Sequence, residues 1–245
     1  MARPILILQL RPEDEASDGE YADILEKGGI DAARTVRVRV DAAPLPALDL
    51  DAHAAVIVGG GPGCVSDDPA TRDPLEARME RDLLGLMDGI LARDMPFLGC
   101  CAGIGLLAHH LGAEVSKRRW SEPVGPTDCT LTPDGRADPL FGRLSPDFTA
   151  LAGHKEAVQV LPEGCVHLAA SAACRFQAIR WGRNVYATQF HPEADGETFA
   201  SRIRIYRSRG YFAPDEAERL TDLSRAAEVT EPQKLLRAFC ERYGG

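Results

Sequence analysis

Cys101, in the stretch Gly99-Cys100-Cys101-Ala102-Gly103, carries the side chain most suited to covalent chemistry. The apolar run Met95-Pro96-Phe97-Leu98 before it reads as a buried strand, and a helix is expected from Ala102 through Leu111. A thiol on such a strand-to-helix turn stands clear of the sheet and faces the positive end of the helix dipole. That position favours the thiolate and makes a nucleophile. The glycines select which cysteine it is. A tight elbow needs small residues two places either side of the nucleophile, where strand and helix pass close together. Cys101 has Gly99 and Gly103 there, whereas Cys100 has Leu98 and Ala102 and is expected to point into the sheet.

A nucleophilic thiol needs a base, and the base needs an orienting group. Gln189-Phe190-His191-Pro192-Glu193 offers both at the end of an apolar strand. Pro192 breaks that strand, and Glu193 is placed to accept a hydrogen bond from the His191 imidazole. Gly59-Gly60-Gly61-Pro62-Gly63 ends another apolar run, Ala54 to Val58. Backbone N–H groups of that loop, with the N–H of Ala102, suit an oxyanion hole. The loop lacks the lysine and Ser/Thr of a phosphate-binding P-loop.

These residues need a scaffold that brings strand ends to one edge. Strands are expected at Ile5–Leu10, Thr35–Val40 and 54–58, with helices at Glu20–Lys27 and Pro74–Arg93. That order, ahead of the elbow strand, predicts an α/β protein with a mainly parallel sheet covered on both faces and its site at the strand C-terminal ends. After residue 112 short strands follow at Glu114–Arg118, Cys129–Thr132, Phe148–Ala152, Val158–Leu161, Val166–Ala170, Phe176–Trp181 and Val185–Gln189, the last two joined by a hairpin turn. The central sheet is therefore expected to be mixed, in a three-layer fold. From Glu197 onward the chain reads as helical, with starts at Pro214 and Pro232. The expected division is a domain over 1–210 and a C-terminal helical extension over 211–245, packed on it.

The chain of 245 residues carries 28 basic and 37 acidic residues, a formal charge of −9. An acidic chain with few aromatics gains nothing from counterion release, so nucleic acid is not an expected partner. Seven scattered cysteines without a CxxC suggest neither a disulfide framework nor a zinc site, and fit a reducing, cytoplasmic setting. No run is long enough for a signal peptide or a membrane span. His109-His110 point about 100° apart on a helix and are poor joint metal ligands. Arg202, Arg204, Arg207 and Arg209 read as a solvated helix face.

The motifs together resemble those of the class I, triad-type glutamine amidotransferases. The family's G-x-C-x-G elbow matches residues 99–103, its H-P-E element matches 191–193, and its glycine-proline oxyanion loop matches 60–63. The resemblance covers roughly residues 4–195 and is greatest to the glutaminase portion of GMP synthase and its stand-alone relatives. It implies that Cys101 attacks the γ-carboxamide of L-glutamine and that His191 acts as base and then acid. Glu193 would hold His191, while Gly61 and Ala102 stabilise the oxyanion. It places Gly60, Gly63, Gly105, Gly153, His154, Lys155 and Glu156 around the substrate, with no metal or organic cofactor. His154 also reads as an ordinary loop residue.

Two departures fall in the substrate pocket. Ile104-Gly105 stands where the family usually has His-Gln or Met-Gln, and Lys155-Glu156 where Gly and Asp are common. They leave room for another γ-glutamyl substrate, a peptide or an amine. A non-catalytic regulatory subunit would keep the fold, but an intact triad argues against it. No synthetase motif follows residue 195, so any ammonia acceptor is expected to be a separate protein.

Overall fold

The computed structural model describes residues 3–244. Its first half comprises β1 (Ile5–Gln9), α1 (Asp14–Gly28), β2 (Thr35–Arg39), β3 (Ala55–Val58), α2 (Pro74–Ala92), β4 (Phe97–Cys100) and α3 (Ala102–His110). The second half supplies β5 (Val115–Ser116), β6 (Glu122–Leu131), α4 (Pro133–Ala137), β7 (Asp147–His154), β8 (Ala157–Val158), β9 (Cys165–Ser171), β10 (Ala178–Trp181) and β11 (Val185–Thr188). Helices α5 (Gly196–Ile205), α6 (Ala217–Ala226) and α7 (Glu231–Tyr243) follow.

A nine-stranded sheet runs in the order β2-β1-β3-β4-β11-β10-β9-β6-β7. From β2 to β11 the neighbours are parallel, and from β11 to β7 they are antiparallel. This is the expected mixed α/β sheet, parallel in its first half. Strand alternation sorts the two cores. Ile5, Ile7, Ile57, Leu98 and Cys100 pack with Ile24 of α1 and with Leu235, Leu236 and Phe239 of α7. Leu6, Leu8, Val56, Val58 and Phe97 pack on the other face with Met79, Leu83 and Met87 of α2 and Leu107 of α3. A third cluster joins Phe199 and Ile203 of α5, Leu220 of α6, Val124 and Leu151.

Four expected elements differ. Helix α1 starts at Asp14 rather than Glu20, because its buried face carries Ser17, Glu20 and Asp23 as well as Ala16 and Ile24, so apolar spacing underreports it. Strand β6 starts at Glu122, ahead of the expected Cys129. Pro123, Gly125 and Pro126 disguise it, and its register shifts between Glu122 and Gly125, the kind of irregularity that tolerates such residues. The expected strands at 114–118 and 158–161 shrink to β5 and β8, which pair in a separate two-stranded ribbon.

Candidate active site

The elbow is crowded at Gly99 as expected but leaves room for a Cβ at Gly103. Cys101 has φ 52° and ψ −93°, a strained conformation for a residue with a Cβ, and serves as N-cap of α3. A Cβ on Gly99 would lie 3.0 Å from the Gly103 backbone, so a side chain fits there only if strand or helix shifts. The Cys101 N–H donates to the Thr188 carbonyl at 2.8 Å, fastening the elbow to β11. Cys100 points the other way into the core, where burial pushes its thiol well up and away from reactivity.

Strands β3, β4 and β11 are adjacent and parallel. Their C-terminal ends therefore deliver the glycine loop, Cys101 and His191 to one edge. His191 is 5 % exposed; its ring lines the same cavity as Cys101 on one side, and its Nδ1 lies 2.9 Å from Glu193 Oε1 on the other. Burial alone would lower the imidazole, but the Glu193 carboxylate and then Cys101 outweigh it and lift it to about 9. For Glu193 burial works upward, and the charges of His191 and Arg202 outweigh it, holding the carboxyl well below its usual range.

Arg202 does not lie on a solvated face as expected. It is 6 % exposed, with Nη1 2.6 Å from Glu193 Oε1 and Nη2 2.8 Å from Asp23 Oδ2. Desolvation raises Asp23 to about 7 against the pull of Arg202. Arg204, Arg207 and Arg209 are exposed, as the solvated reading expects, but only Arg204 lies on α5.

Within the glycine loop the amides have different fates. Gly59 N–H donates to Leu8 O at 2.9 Å, and Gly60 N–H to buried Glu20 Oε1 at 3.1 Å. Gly61 N–H has no acceptor among the described residues, and Ala102 N–H is one of the donors every helix N-terminus leaves unpaired. Gly60 serves by being small, since a Cβ there would sit 2.6 Å from His191 Cε1. Glu20 also anchors Arg11, whose Nε lies 2.8 Å from its Oε1.

Two cavities open on Cys101. One is walled by Gly63, Ala102, Gly105, His154, Lys155 and Glu156. The other lies toward His191 and is walled by Arg11, Val124, Phe199, Ile203, Tyr206 and Phe212. Gly61, Gly153 and Tyr211 border both. The first cavity gathers six of the seven residues expected near substrate, Gly60 standing instead against His191. His154 is held from behind, with Nδ1 2.8 Å from Glu156 O and Nε2 3.0 Å from Glu122 Oε2. Glu122 in turn accepts from Ser171 at 2.6 Å and Thr127 at 2.7 Å. The two sequence departures meet in space: a Cβ on Gly105 would lie 3.0 Å from Glu156 Oε1. The Glu156 carboxylate fills that room and accepts the Val65 and Ser66 amides, both at 2.9 Å.

Arg11, Glu20, Asp23 and Tyr211 carry no functional expectation in the sequence, and Arg202 reads there as a solvated side chain. Arg11 had a signal, a basic residue just past a parallel strand. Glu20 and Asp23 carried none, because charges on an amphipathic helix read as its wet face.

The sequence model of the family described as glutamine amidotransferase class-I matches residues 25–204. A glutamine-hydrolyzing GMP synthase subunit from Natronomonas pharaonis is 31% identical over 149 residues, 60% of this chain and 70% of that one. A glutamine-hydrolyzing GMP synthase from Thermosipho africanus is 32% identical over 151 residues, but the match spans only 26% of its length. The crystal structure of a glutamine amidotransferase from Thermotoga maritima superposes with a TM-score of 0.76 at 20% identity, covering 98% of both chains, a likeness of fold. No helix among the described residues is long and apolar enough to cross a membrane. The match over residues 25–204, on a sheet that brings the elbow, the histidine and the glycine loop to one edge, makes this chain a member of the class-I glutamine amidotransferase family.

Proposed function

We propose that this protein hydrolyses the γ-amide of L-glutamine and releases ammonia, with Cys101, His191 and Glu193 as its catalytic residues. The observation that carries the reading is that Cys101 and His191 line one cavity at the ends of adjacent parallel strands, with Glu193 hydrogen-bonded behind the imidazole.

The glutamyl chain enters the cavity bounded by Gly63, Gly105, Gly153, His154 and Glu156, and the ammonium of Lys155 at its wall attracts the α-carboxylate. Cys101 Sγ attacks Cδ of the amide. The developing oxyanion meets the Gly61 and Ala102 N–H groups, each such donor being worth about 2.7–4 kcal/mol in the barrier. The His191 imidazolium gives its proton to the departing nitrogen, leaving a γ-glutamyl thioester. Water, deprotonated by the same imidazole, hydrolyses the thioester and returns Cys101. Glu193 holds the imidazole in the tautomer that faces sulfur, and its charge stabilises the imidazolium.

The Natronomonas relative is named as one subunit of its synthase, and we extend that arrangement here: the ammonia passes to a separate synthetase protein. Glutamate release from L-glutamine tests the hydrolysis, with the Cys101→Ala variant as control. A folded protein that releases no glutamate and whose Cys101 resists a γ-glutamyl-directed alkylating reagent would refute the reading. Co-purification tests the partner: a synthetase that raises the glutaminase rate is expected.

A further inference from the structure

Glutamine hydrolysis uses one of the two cavities at Cys101. The other begins on the His191 side of the sulfur, where the nitrogen departs. Ammonia needs no cavity of this kind. Its wall is mostly apolar, made of Val124, Phe199, Ile203, Tyr206 and Phe212, with Arg11 at one side. Val124, Phe199 and Ile203 belong to the core between α5 and α6, with Tyr211 and Phe212 packed against it. The cavity is thus a gap in an apolar cluster that opens onto the reacting sulfur. Tyr211 marks the border between the two cavities and is fixed there, its hydroxyl 3.4 Å from both Gly61 O and Pro62 O. Arg11 and Arg202 are held by Glu20, Glu193 and Asp23, so the charged part of the wall is already paired.

We propose that this second cavity is a leaving-group subsite, and that the enzyme hydrolyses γ-glutamyl amides of small apolar amines as well as glutamine. The proposal rests on the reading that Cys101 attacks a γ-glutamyl carbonyl. The chemistry balances without a further reactant. The S–C bond forms and the C–N bond breaks. The His191 proton goes to the amine nitrogen, and water releases glutamate from the thioester. The alkyl group of the amine lies against Val124, Ile203 and Phe212, where each buried methylene is worth up to about fourfold in kcat/KM.

The test is glutamate release by the full chain from L-glutamine and from its γ-methylamide, γ-ethylamide and γ-isobutylamide. The expected result is a rising kcat/KM along the series, at least tenfold from glutamine to the isobutylamide. Phe212→Ala is expected to lower the isobutylamide-to-glutamine ratio at least fivefold. A rate that falls with each added carbon while glutamine is turned over would overturn the subsite and leave the glutaminase reading standing. Release from none of the four amides by folded protein would remove that reading itself.

Discussion

Arg202 donates to the same Glu193 oxygen that His191 uses. Nη1 of Arg202 lies 2.6 Å from Oε1, and His191 Nδ1 lies 2.9 Å from it. The other carboxylate oxygen is buried with no hydrogen-bond partner among the described residues. The position of Glu193 therefore depends on two donors at one atom. One is anchored in turn by Asp23 on α1.

Replacing Arg202 with methionine keeps the volume and removes the donor. Two buried carboxylates then lose their common partner, a change that costs about 3–5 kcal/mol of stability. Thermal denaturation should show it. In protein that remains folded, kcat should fall at least tenfold, with Arg202→Lys recovering part of the loss. An Arg202→Met variant as stable and active as wild type would show that the link holds nothing.

The pH dependence follows from His191. Its folded pKa of about 9 stands above the ordinary 6.5, so its contribution to stability is complete below about 6.5 and is lost as pH rises through about 9. On the proposed mechanism kcat should fall over the same alkaline limb, because the imidazolium that would protonate the departing nitrogen disappears. In Glu193→Gln the largest attraction on the imidazolium is gone, and the limb should move down toward 6.5. A pH–rate profile of both proteins measures this; an unmoved limb would assign it to another group.

The strained backbone at Cys101 separates stability from activity. Cys101→Ala and Cys101→Gly should both be inactive. The glycine variant escapes the Cβ strain at φ 52° and should be the more stable of the two by roughly 1 kcal/mol after its greater unfolded-state entropy is counted. Chemical denaturation of the pair gives the difference directly.

Two glycines near the sulfur should respond differently to alanine. At Gly99 the new methyl would meet the Gly103 backbone at 3.0 Å and the Phe97 ring at 2.9 Å, so the start of α3 must shift. A stability loss of about 1–3 kcal/mol and a large drop in kcat are expected. At Gly105 the nearest atom is the end of the Glu156 side chain at 3.0 Å, which moves more readily. Gly105→Ala should chiefly raise KM for glutamine. Steady-state kinetics and melting curves on both variants would distinguish backbone from side-chain crowding.

The sequence by itself determined the parts of the site whose chemistry is written in neighbouring residues. Gly99 and Gly103 select Cys101 by their spacing, and the structure shows the crowding at Gly99, whereas a Cβ on Gly103 would meet nothing nearer than Val58 at 3.9 Å. His191-Pro192-Glu193 places an imidazole and the carboxylate that hydrogen-bonds it within three residues. Apolar runs ending in Gly or Pro announce strands whose ends carry function. Tertiary structure alone decided what surrounds this core. Arg202 meets Asp23 across 179 residues of sequence, and Gly105 meets Glu156 across the cavity. Such pairs depend on how helices dock on the sheet. A charged residue on a helix has the same local pattern whether it faces water or a buried partner. Arg202 therefore reads as a solvated side chain until α1 and α5 enclose it, and the second cavity at Cys101 exists only where α5 and residues 206–212 come against Val124 and Gly153.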